Sequence, residues 1–201
     1  MQPRLVLASS SPRRIDLLKA VGLDCIVHPS TVEESGLPSA SPPRVTALQL
    51  ALAKAQSVAL DYPSDIVVAA DTVVALGNEI FGKPADAEDG RRMLERLSGQ
   101  THSVITAVAI AYNGSVDLDA VETRVTMRAI DASELEDYLR SGDPLDKAGA
   151  YGIQSGAGKF ITRLEGDYYN VVGLPLAKLL EMLSGYMDVR GLKIPPAPIW
   201  R

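Results

Sequence analysis

The sequence predicts an α/β fold in which helices flank a mixed central sheet, and three observations support this. Short apolar runs rich in β-branched residues, such as 66–70, alternate with segments whose apolar residues recur every three or four positions, such as 43–60. Two longer runs, 102–112 and 116–128, are joined by Asn113-Gly114, which is typical of an antiparallel hairpin turn. Alternating strands and helices favour parallel pairing, and the hairpin adds antiparallel strands.

The first third of the chain divides into five predicted elements, separated by residues that stop regular structure. Gly22 ends the first helix, and three prolines make 30–43 a loop. The elements are a strand at 5–8, a helix at 15–21, a strand at 24–28, a helix at 43–60 and a strand at 66–70.

The helix at 43–60 presents two apolar faces. The first is predicted to be its core stripe, with steps of three and four between its residues. That stripe consists of Val45, Leu48, Leu52, Ala55 and Ala59. Lys54 lies on the second face, among Ala47, Leu50, Ala51 and Val58. A lone cation there either extends along the edge of the packed surface or points into a cleft.

The remaining elements follow from turn residues and apolar spacing. A hairpin turns at Gly77-Asn78, Gly82-Lys83-Pro84 forms a tight turn, and Asp86 is a candidate helix cap. We expect strands at 73–76 and 79–81, a helix at 86–98, the strands 102–112 and 116–128, a helix at 131–140, strands and turns over 149–170, and a helix at 174–183. Residues 1–186 are read as one domain, and 187–201 as a proline-rich tail without regular structure.

Composition excludes several classes of protein. The 201 residues are 46% hydrophobic and 22% charged, with a net charge of −5, so no global basic field favours a nucleic-acid polymer. The single cysteine, Cys25, cannot form an internal disulfide, which indicates a reducing compartment and hence the cytoplasm. Neither a signal peptide nor an apolar run of membrane-spanning length is recognisable, so no membrane partner is expected.

A phosphate-binding turn is predicted at Ser9-Ser10-Ser11-Pro12-Arg13-Arg14, directly after the first strand. Ser11 is a candidate helix cap, and Pro12 suits the first helical turn. Backbone N–H groups at a helix start favour an anion, and the arginine fork matches pairs of phosphate oxygens. A capped, solvated helix start has the same sequence, so the motif alone leaves both interpretations open.

Other charged residues join this turn to form a candidate site. If Arg13, Arg14, Lys54 and Lys83 converge, they form a positive pocket on an acidic protein, which suits a small polyanion. Asp71 follows the most buried predicted strand, 66–70, where open α/β sheets place their ligands.

Six ordered segments resemble the Maf family of nucleotide pyrophosphatases, and together they cover the chain to about Tyr186. They are Leu7-Ala8-Ser9-Ser10-Ser11-Pro12-Arg13-Arg14, Ala70-Asp71-Thr72-Val73-Val74, Gly82-Lys83-Pro84, Leu97-Ser98-Gly99-Gln100-Thr101-His102, the run from Asp146 to Gln154, and Val172-Gly173-Leu174-Pro175-Leu176.

The resemblance implies an elongated fold with two lobes around a central cleft, of the Maf/Ham1 type, often as a homodimer. It implies hydrolysis of a nucleoside triphosphate to the monophosphate and pyrophosphate, assisted by a divalent cation, Mg²⁺ or Mn²⁺. The family's dTTP/UTP subgroup carries arginine, threonine and glutamine at the positions of Arg13, Thr72 and Gln154, as this chain does. Modified pyrimidine nucleotides form a further class of candidate substrate.

Roles follow for each candidate residue. Asp71 is the expected general base, and Glu34 with Asp71 the expected metal ligands, although the neighbouring Glu33 could serve instead. The expected substrate-binding residues are Ser9, Arg13, Arg14, Lys54, Thr72, Lys83 and Gln154. Asp146 and Lys147 are either a structural ion pair or substrate contacts. The alternatives are a 7-methyl-GTP pyrophosphatase of the same fold and a nucleotide-binding regulator of cell division with little turnover.

Overall fold

The computed structural model describes residues 2–32 and 41–198, which form a mixed seven-stranded sheet with helices on both faces. The strands are β1 (Leu5–Leu7), β2 (Ile26–Val27), β3 (Ile66–Leu76), β4 (Glu79–Phe81), β5 (Thr101–Tyr112), β6 (Ser115–Met127) and β7 (Ile161–Glu165). The helices are α1 (Pro12–Ala20), α2 (Pro43–Ala59), α3 (Ala87–Leu97), α4 (Ala132–Arg140), α5 (Tyr168–Val172) and α6 (Leu176–Leu183).

The strand order is β2-β1-β3-β5-β6-β7, with β4 paired to β3 beside this path. β1 runs parallel to β2 and β3, whereas every other pairing is antiparallel. The prediction of an α/β fold with a mixed central sheet is confirmed. Asn113 and Gly114 have φ angles of 48° and 81°, as expected for a tight hairpin turn between β5 and β6.

One edge of β3 is shared by two short strands that do not meet. β1 pairs with 66–68, and β4 pairs with 74–76. The opposite edge is continuous, because β5 pairs with 67–75. In the described part of the chain, the first edge carries no strand at 69–73. The sheet therefore opens there, in the middle of its most buried strand.

This arrangement corrects the predicted location of Asp71. The sequence places it after a strand that ends at residue 70, but β3 continues to Leu76 and includes the first half of the predicted hairpin. Pairing with β5 holds the strand straight through this point. Asp71 thus lies within β3, beside its open edge, rather than beyond a strand end.

The predicted core stripe of α2 is wrong. The buried residues of α2 are Pro43, Ala47, Leu50, Ala51, Lys54, Ala55 and Val58, whereas Val45 is 39% exposed. These residues pack on a sheet face rich in alanine and valine, including Ala69, Ala107 and Ala109. Small side chains let the helix approach the sheet closely, so the alanine-rich face of α2 is the one that packs.

Smaller differences concern where helices begin. α1 starts at Pro12, and Ser11 occupies its cap position, but its hydroxyl makes no capping hydrogen bond. Asp86 does cap α3, accepting from Asp89 N at 2.8 Å. The stretch 149–170, predicted as strands and turns, also contains the start of α5, which Asp167 caps.

The other face of the sheet carries a second, larger core, against which the remaining helices pack. The tail follows α6 as turns and irregular chain through residue 198, and Tyr169 Oη donates to Pro195 O at 2.6 Å. None of the helices in residues 2–32 and 41–198 has the length and apolar character needed to span a bilayer.

Candidate active site

A cleft of about 780 Å³ lies at the open edge of β3. Eight predicted site residues line it: Ser9, Arg13, Arg14, Lys54, Asp71, Thr72, Lys83 and Gln154. They come from the β1–α1 turn, the first turn of α1, α2, β3, the turn after β4 and the turn before residue 156. The predicted metal ligand Glu34, and its alternative Glu33, lie outside the described residues. The structure thus brings together segments that are up to 145 positions apart.

Asp71 and Lys54 form the buried centre of the cleft. Lys54 Nζ donates to Asp71 Oδ1 at 2.5 Å, and the two side chains are only 11% and 8% exposed. The open question about Lys54 is answered, because it points into the cleft rather than along the packing edge. A cation this close favours the ionised carboxylate.

Asp71 and Thr72 point to opposite faces of the sheet, because successive side chains of a strand alternate. Val67, Ala69 and Val73 lie in the α2 core, and Asp71 shares their face. Thr72 instead shares its face with the larger core, and its hydroxyl oxygen lies 3.0 Å from that of Thr106 on the neighbouring strand β5. Because β3 is open at this edge, groups from both faces reach one cleft.

Arg14 is held on the Thr72 face by three neutral acceptors. Nε donates to Gly173 O at 2.8 Å, Nη1 to Ser9 Oγ at 3.3 Å, and Nη2 to Thr72 Oγ1 at 3.0 Å. Gly173 has φ 121°, which favours glycine, so the carbonyl reaches Arg14 from a turn that side-chain-bearing residues rarely adopt. These contacts set the plane of the Arg14 guanidinium.

Arg13 has a different environment. Its Nη1 contacts Asp146 Oδ2 at 3.1 Å, across the cleft from α1. Asp146 and Asp143 also accept from Lys147 Nζ, which donates to Asp146 Oδ1, Asp143 Oδ1 and Asp143 O at 2.6–2.9 Å. Burial raises the pKa of Asp146, but hydrogen bonds from Lys147 and Arg13 outweigh it and lower the pKa overall. This geometry supports the structural ion-pair interpretation of Asp146 and Lys147.

The turn that carries Lys83 rests on the 148–150 segment. Gly149 N donates to Gly82 O at 3.0 Å. Gly149 has φ 70°, and a Cβ there would lie 2.9 Å from Val74 Cγ1, so this position requires glycine. A Cβ on Gly82 would meet nothing within 4 Å, so packing within the described chain does not require that glycine. Lys83 itself is exposed at the cleft wall.

Gln154 lies on an exposed turn at the rim of the cleft, beside the phenol of Tyr168. Burial raises the pKa of the Tyr168 phenol, and its interaction with Gln154 acts in the opposite direction. Tyr168 is 8% exposed and belongs to α5, so α5 adjoins the turn that carries Gln154.

Beneath the cleft, His102 Nε2 lies 2.7 Å from Oη of Tyr151, which lines the cavity. Its Nδ1 is buried and has no hydrogen-bond partner among the described residues. Burial lowers the pKa of His102 from 6.5 to about 4. This imidazole is therefore neutral near pH 7.

His102 makes folding stability depend on pH. In the unfolded chain it takes up a proton below about pH 6.5, while the folded chain resists until about pH 4, so stability falls as pH drops through this window. We expect a contribution of about 3 kcal/mol across it. Urea unfolding at pH 7 and pH 4.5 should show a smaller loss for His102→Gln than for the unsubstituted protein. Equal losses would contradict this assignment.

A divalent cation fits the donor set of the cleft, although no ready-made cluster is present. In residues 2–32 and 41–198, no group of three or more His, Cys, Asp or Glu side chains is placed to hold a metal. Mg²⁺ is commonly held by one or two carboxylates, substrate phosphates and water, so a preformed cage is not required. Asp71 provides one such carboxylate, and the predicted Glu34 or Glu33 would provide another.

The sequence analysis missed several residues that support the site. Thr106 and Asn170 are fully buried behind Thr72, and Tyr168 contacts Gln154. Asp143 accepts from Tyr138 and Ser155 at 2.6 Å each. Of these residues, only Asn170 carried a signal in the sequence. Tyrosines and valines flank it, and an amide buried among such residues must find hydrogen-bond partners.

Comparisons with known proteins place the chain in a family. A family model described as Maf-like protein matches residues 4–186. A dTTP/UTP pyrophosphatase from Anaeromyxobacter dehalogenans is 49% identical over 187 residues, which cover 91% of this chain and 94% of that protein. Proteins of the same name from Dictyoglomus thermophilum and Pyrococcus furiosus are 44% and 42% identical, over 92% and 90% of this chain and 96% and 94% of their own.

The solved Ham1 protein of Staphylococcus aureus is similar in fold. It superposes with a TM-score of 0.52 at 15% sequence identity, over 91% of this chain and 99% of its own. At this identity the likeness concerns the fold alone, and it agrees with the mixed sheet described above. Since the family model spans most of the chain and the relatives exceed 40% identity, the chain belongs to the Maf family.

Proposed function

We propose that this protein hydrolyses dTTP and UTP to the nucleoside monophosphate and pyrophosphate, by attack of water on the α-phosphorus with the help of a divalent cation. Membership of the Maf family and relatives named dTTP/UTP pyrophosphatase support hydrolysis of nucleoside triphosphates. The observation that carries the proposal is the buried Lys54–Asp71 pair in a cleft lined by Arg13, Arg14 and Lys83.

The cations of the cleft suit a triphosphate. Contacts with Gly173 O and Thr72 Oγ1 hold the Arg14 guanidinium in a fixed plane, which matches phosphate oxygens in pairs. Arg13 would exchange the Asp146 carboxylate for a phosphate, and Lys83 would reach in from the exposed turn. Phosphoryl transfer depends mostly on positioning and on neutralising charge, and these residues supply both.

Asp71 is the proposed general base, which takes a proton from the attacking water. Lys54 keeps this carboxylate ionised and fixes Oδ1 in place. A divalent cation bound by Asp71 and Glu34, or Glu33, would neutralise phosphate charge and make water more acidic. Asp71 and Lys54 lie on the α2 face, so they approach the substrate from the side opposite Arg14.

Gln154 is the residue proposed to recognise the pyrimidine base. One side-chain amide offers a donor and an acceptor, which match O4 and N3–H of uracil and thymine. Tyr168 lies beside this amide at the cleft rim. Thr72, one of the expected substrate-binding residues, contacts Arg14 in the structure, so we propose that it acts on the phosphate side.

Gln154→Glu is expected to lower kcat/KM for dTTP about 10- to 100-fold, because a carboxylate cannot donate to O4. CTP is the matched control substrate, since cytosine presents an amino donor at C4 that a carboxylate can accept. Steady-state kinetics with both nucleotides should therefore show a larger loss for dTTP than for CTP. Unchanged dTTP kinetics would overturn the assignment of Gln154.

The proposed function is tested by measuring pyrophosphate release from dTTP, UTP, CTP, GTP and 7-methyl-GTP, with Mg²⁺ or Mn²⁺ and with neither. Release from dTTP and UTP that requires a metal is the expected result. Preference for 7-methyl-GTP would keep the reaction but overturn the reading of Gln154. Binding without release from any nucleotide would favour a regulator in place of an enzyme.

Two further expectations stay predictions. The homodimer implied by the resemblance is checked by sedimentation equilibrium of the purified protein. The cytoplasmic location is checked by fractionating cells that express it at natural levels.

A further inference from the structure

A chain of buried polar groups runs from Arg14 into the protein interior. Thr106, on β5, lies opposite Thr72 in the β3–β5 register, and the two hydroxyl oxygens are 3.0 Å apart. Thr106 Oγ1 also lies 2.8 Å from Asn170 O. Thr106 and Asn170 are both 0% exposed, so their polar atoms depend on each other instead of on bulk water.

The direction of these hydrogen bonds follows from the number of protons. A carbonyl oxygen can only accept, so Thr106 donates its single hydroxyl proton to Asn170 O. Thr106 Oγ1 must then accept from the Thr72 hydroxyl. The proton of Thr72 therefore points inward, and its oxygen presents a lone pair to Arg14 Nη2.

Asn170 is itself fixed in one orientation by backbone groups of β5. Its Oδ1 accepts from Thr106 N at 3.0 Å, and its Nδ2 donates to Val104 O at 2.8 Å and Thr123 Oγ1 at 2.9 Å. An N–H on one side and a carbonyl on the other decide which end of the amide is oxygen. The Asn170 amide therefore cannot turn over without losing its hydrogen bonds with Thr106 N and Val104 O.

Helix α5 thus reaches Arg14 by two routes. Gly173, directly after α5, accepts from Arg14 Nε. Asn170, within α5, acts through Thr106 and Thr72 on Nη2 of the same guanidinium. The two contacts constrain both ends of one planar group, which fixes its orientation before any ligand arrives.

We propose that Thr106 and Asn170 are positioning residues for catalysis, which act through Thr72 to hold Arg14 in the plane that receives the triphosphate. This inference rests on the proposed function, in which Arg14 binds phosphate. Neither residue lines the cleft. Thr106 fixes the direction in which the Thr72 hydroxyl proton points. The side chain of Asn170 holds in place the backbone carbonyl that accepts from Thr106. Loss of the Thr106 hydroxyl leaves Thr72 free to turn its proton toward Arg14, where two donors would oppose each other.

The test compares Thr106→Val, which keeps the shape but removes the hydroxyl, with Thr106→Ser, which keeps the hydroxyl. We expect kcat/KM for dTTP to fall about tenfold in Thr106→Val, mainly through KM, and to recover most of the loss in Thr106→Ser. Thr101→Val is the matched control, since it breaks another Thr–Thr pair of β5, with Thr126, away from Arg14. If Thr106→Val folds poorly, Thr106→Ala, which also lacks the hydroxyl, takes its place.

A double-mutant cycle with Arg14→Met separates positioning from general packing. If Thr106 acts through Arg14, Thr106→Val has no further effect on KM in the Arg14→Met background. Additive effects, or equal losses in the valine and serine variants, would overturn the inference while leaving the function intact. If the unsubstituted protein hydrolyses no nucleotide, the proposed function fails. Binding of inorganic tripolyphosphate, measured by calorimetry, then tests the inference. The inference is supported if Thr106→Val weakens binding and Thr106→Ser does not. It is overturned if Thr106→Val and Thr106→Ser bind tripolyphosphate equally well.

Discussion

Asp71→Asn is expected to lower kcat for dTTP hydrolysis about 1000-fold, the largest effect on turnover of any single substitution considered. The amide has nearly the same shape as the carboxylate but accepts no proton from water and carries no charge to attract a cation. KM should change much less, because in the proposed function Arg13, Arg14 and Lys83 would contact the phosphates independently of Asp71. Pre-steady-state and steady-state release of pyrophosphate measure both quantities.

Asp65→Asn is the matched control for this substitution. Asp65 is also nearly buried, at 9% exposed, and is paired with an arginine, Arg4, whose Nη2 lies 2.6 Å from Oδ2. It does not line the cleft of about 780 Å³. The control should lose stability but keep kcat. If Asp71→Asn kept more than a tenth of the kcat, another group would have to be the base.

Lys54→Met should have the largest effect on stability. It removes the ammonium 2.5 Å from a buried carboxylate, and breaking such a pair costs about 3–5 kcal/mol of unfolding free energy. The double variant Lys54→Met/Asp71→Leu should recover most of that loss, since it removes both charges and fills similar volume. It should nevertheless be inactive. Urea unfolding and dTTP turnover, measured on the same samples, separate the two effects.

Lys178→Met provides a surface comparison for the buried pair. Lys178 contacts Asp119 and Glu181 at 3.2 and 2.8 Å, but these partners are 40% and 70% exposed. An exposed network of this kind contributes up to about 1 kcal/mol. If the double variant at 54 and 71 were as unstable as Lys54→Met, the uncompensated charge of Asp71 would not be the cause of the instability.

The sequence predicted which residues meet, but not where in the sheet they meet. Asp71 was expected beyond a strand end, because the apolar run stops at residue 70. The strand continues because β5 pairs with it through 75, and pairing with a distant segment leaves no local signal in the strand itself. The open edge beside Asp71 arises because β1 and β4 are both short. The sequence gives little indication of where such short strands end.

The α2 helix shows a similar limit. Its larger residues formed a convincing stripe, yet the face with Ala47, Ala51 and Lys54 is buried. Which face packs depends on the partner surface, and here the sheet supplies alanines that favour close approach. Lys54 looked anomalous on that face in the sequence, and that anomaly was the better guide to the site.

The α5 segment was the part most poorly predicted. The sequence indicated strands and turns over 149–170, with no role for Asn170 or Tyr168. Their importance depends on contacts with β5 and with Gln154, which lie 64 and 14 positions away in the chain. A buried asparagine can be suspected from an apolar neighbourhood, but its partners come only from the fold.

The alternation of Asp71 and Thr72 gives this enzyme two separately adjustable halves. Asp71 and Lys54, which would activate water, lie on the α2 face, whereas Arg14 lies on the other face and is held by Gly173 directly and by Asn170 through Thr106 and Thr72. A substitution in α5 could therefore change how Arg14 is held while Asp71 and Lys54, on the other side of the sheet, stay in place.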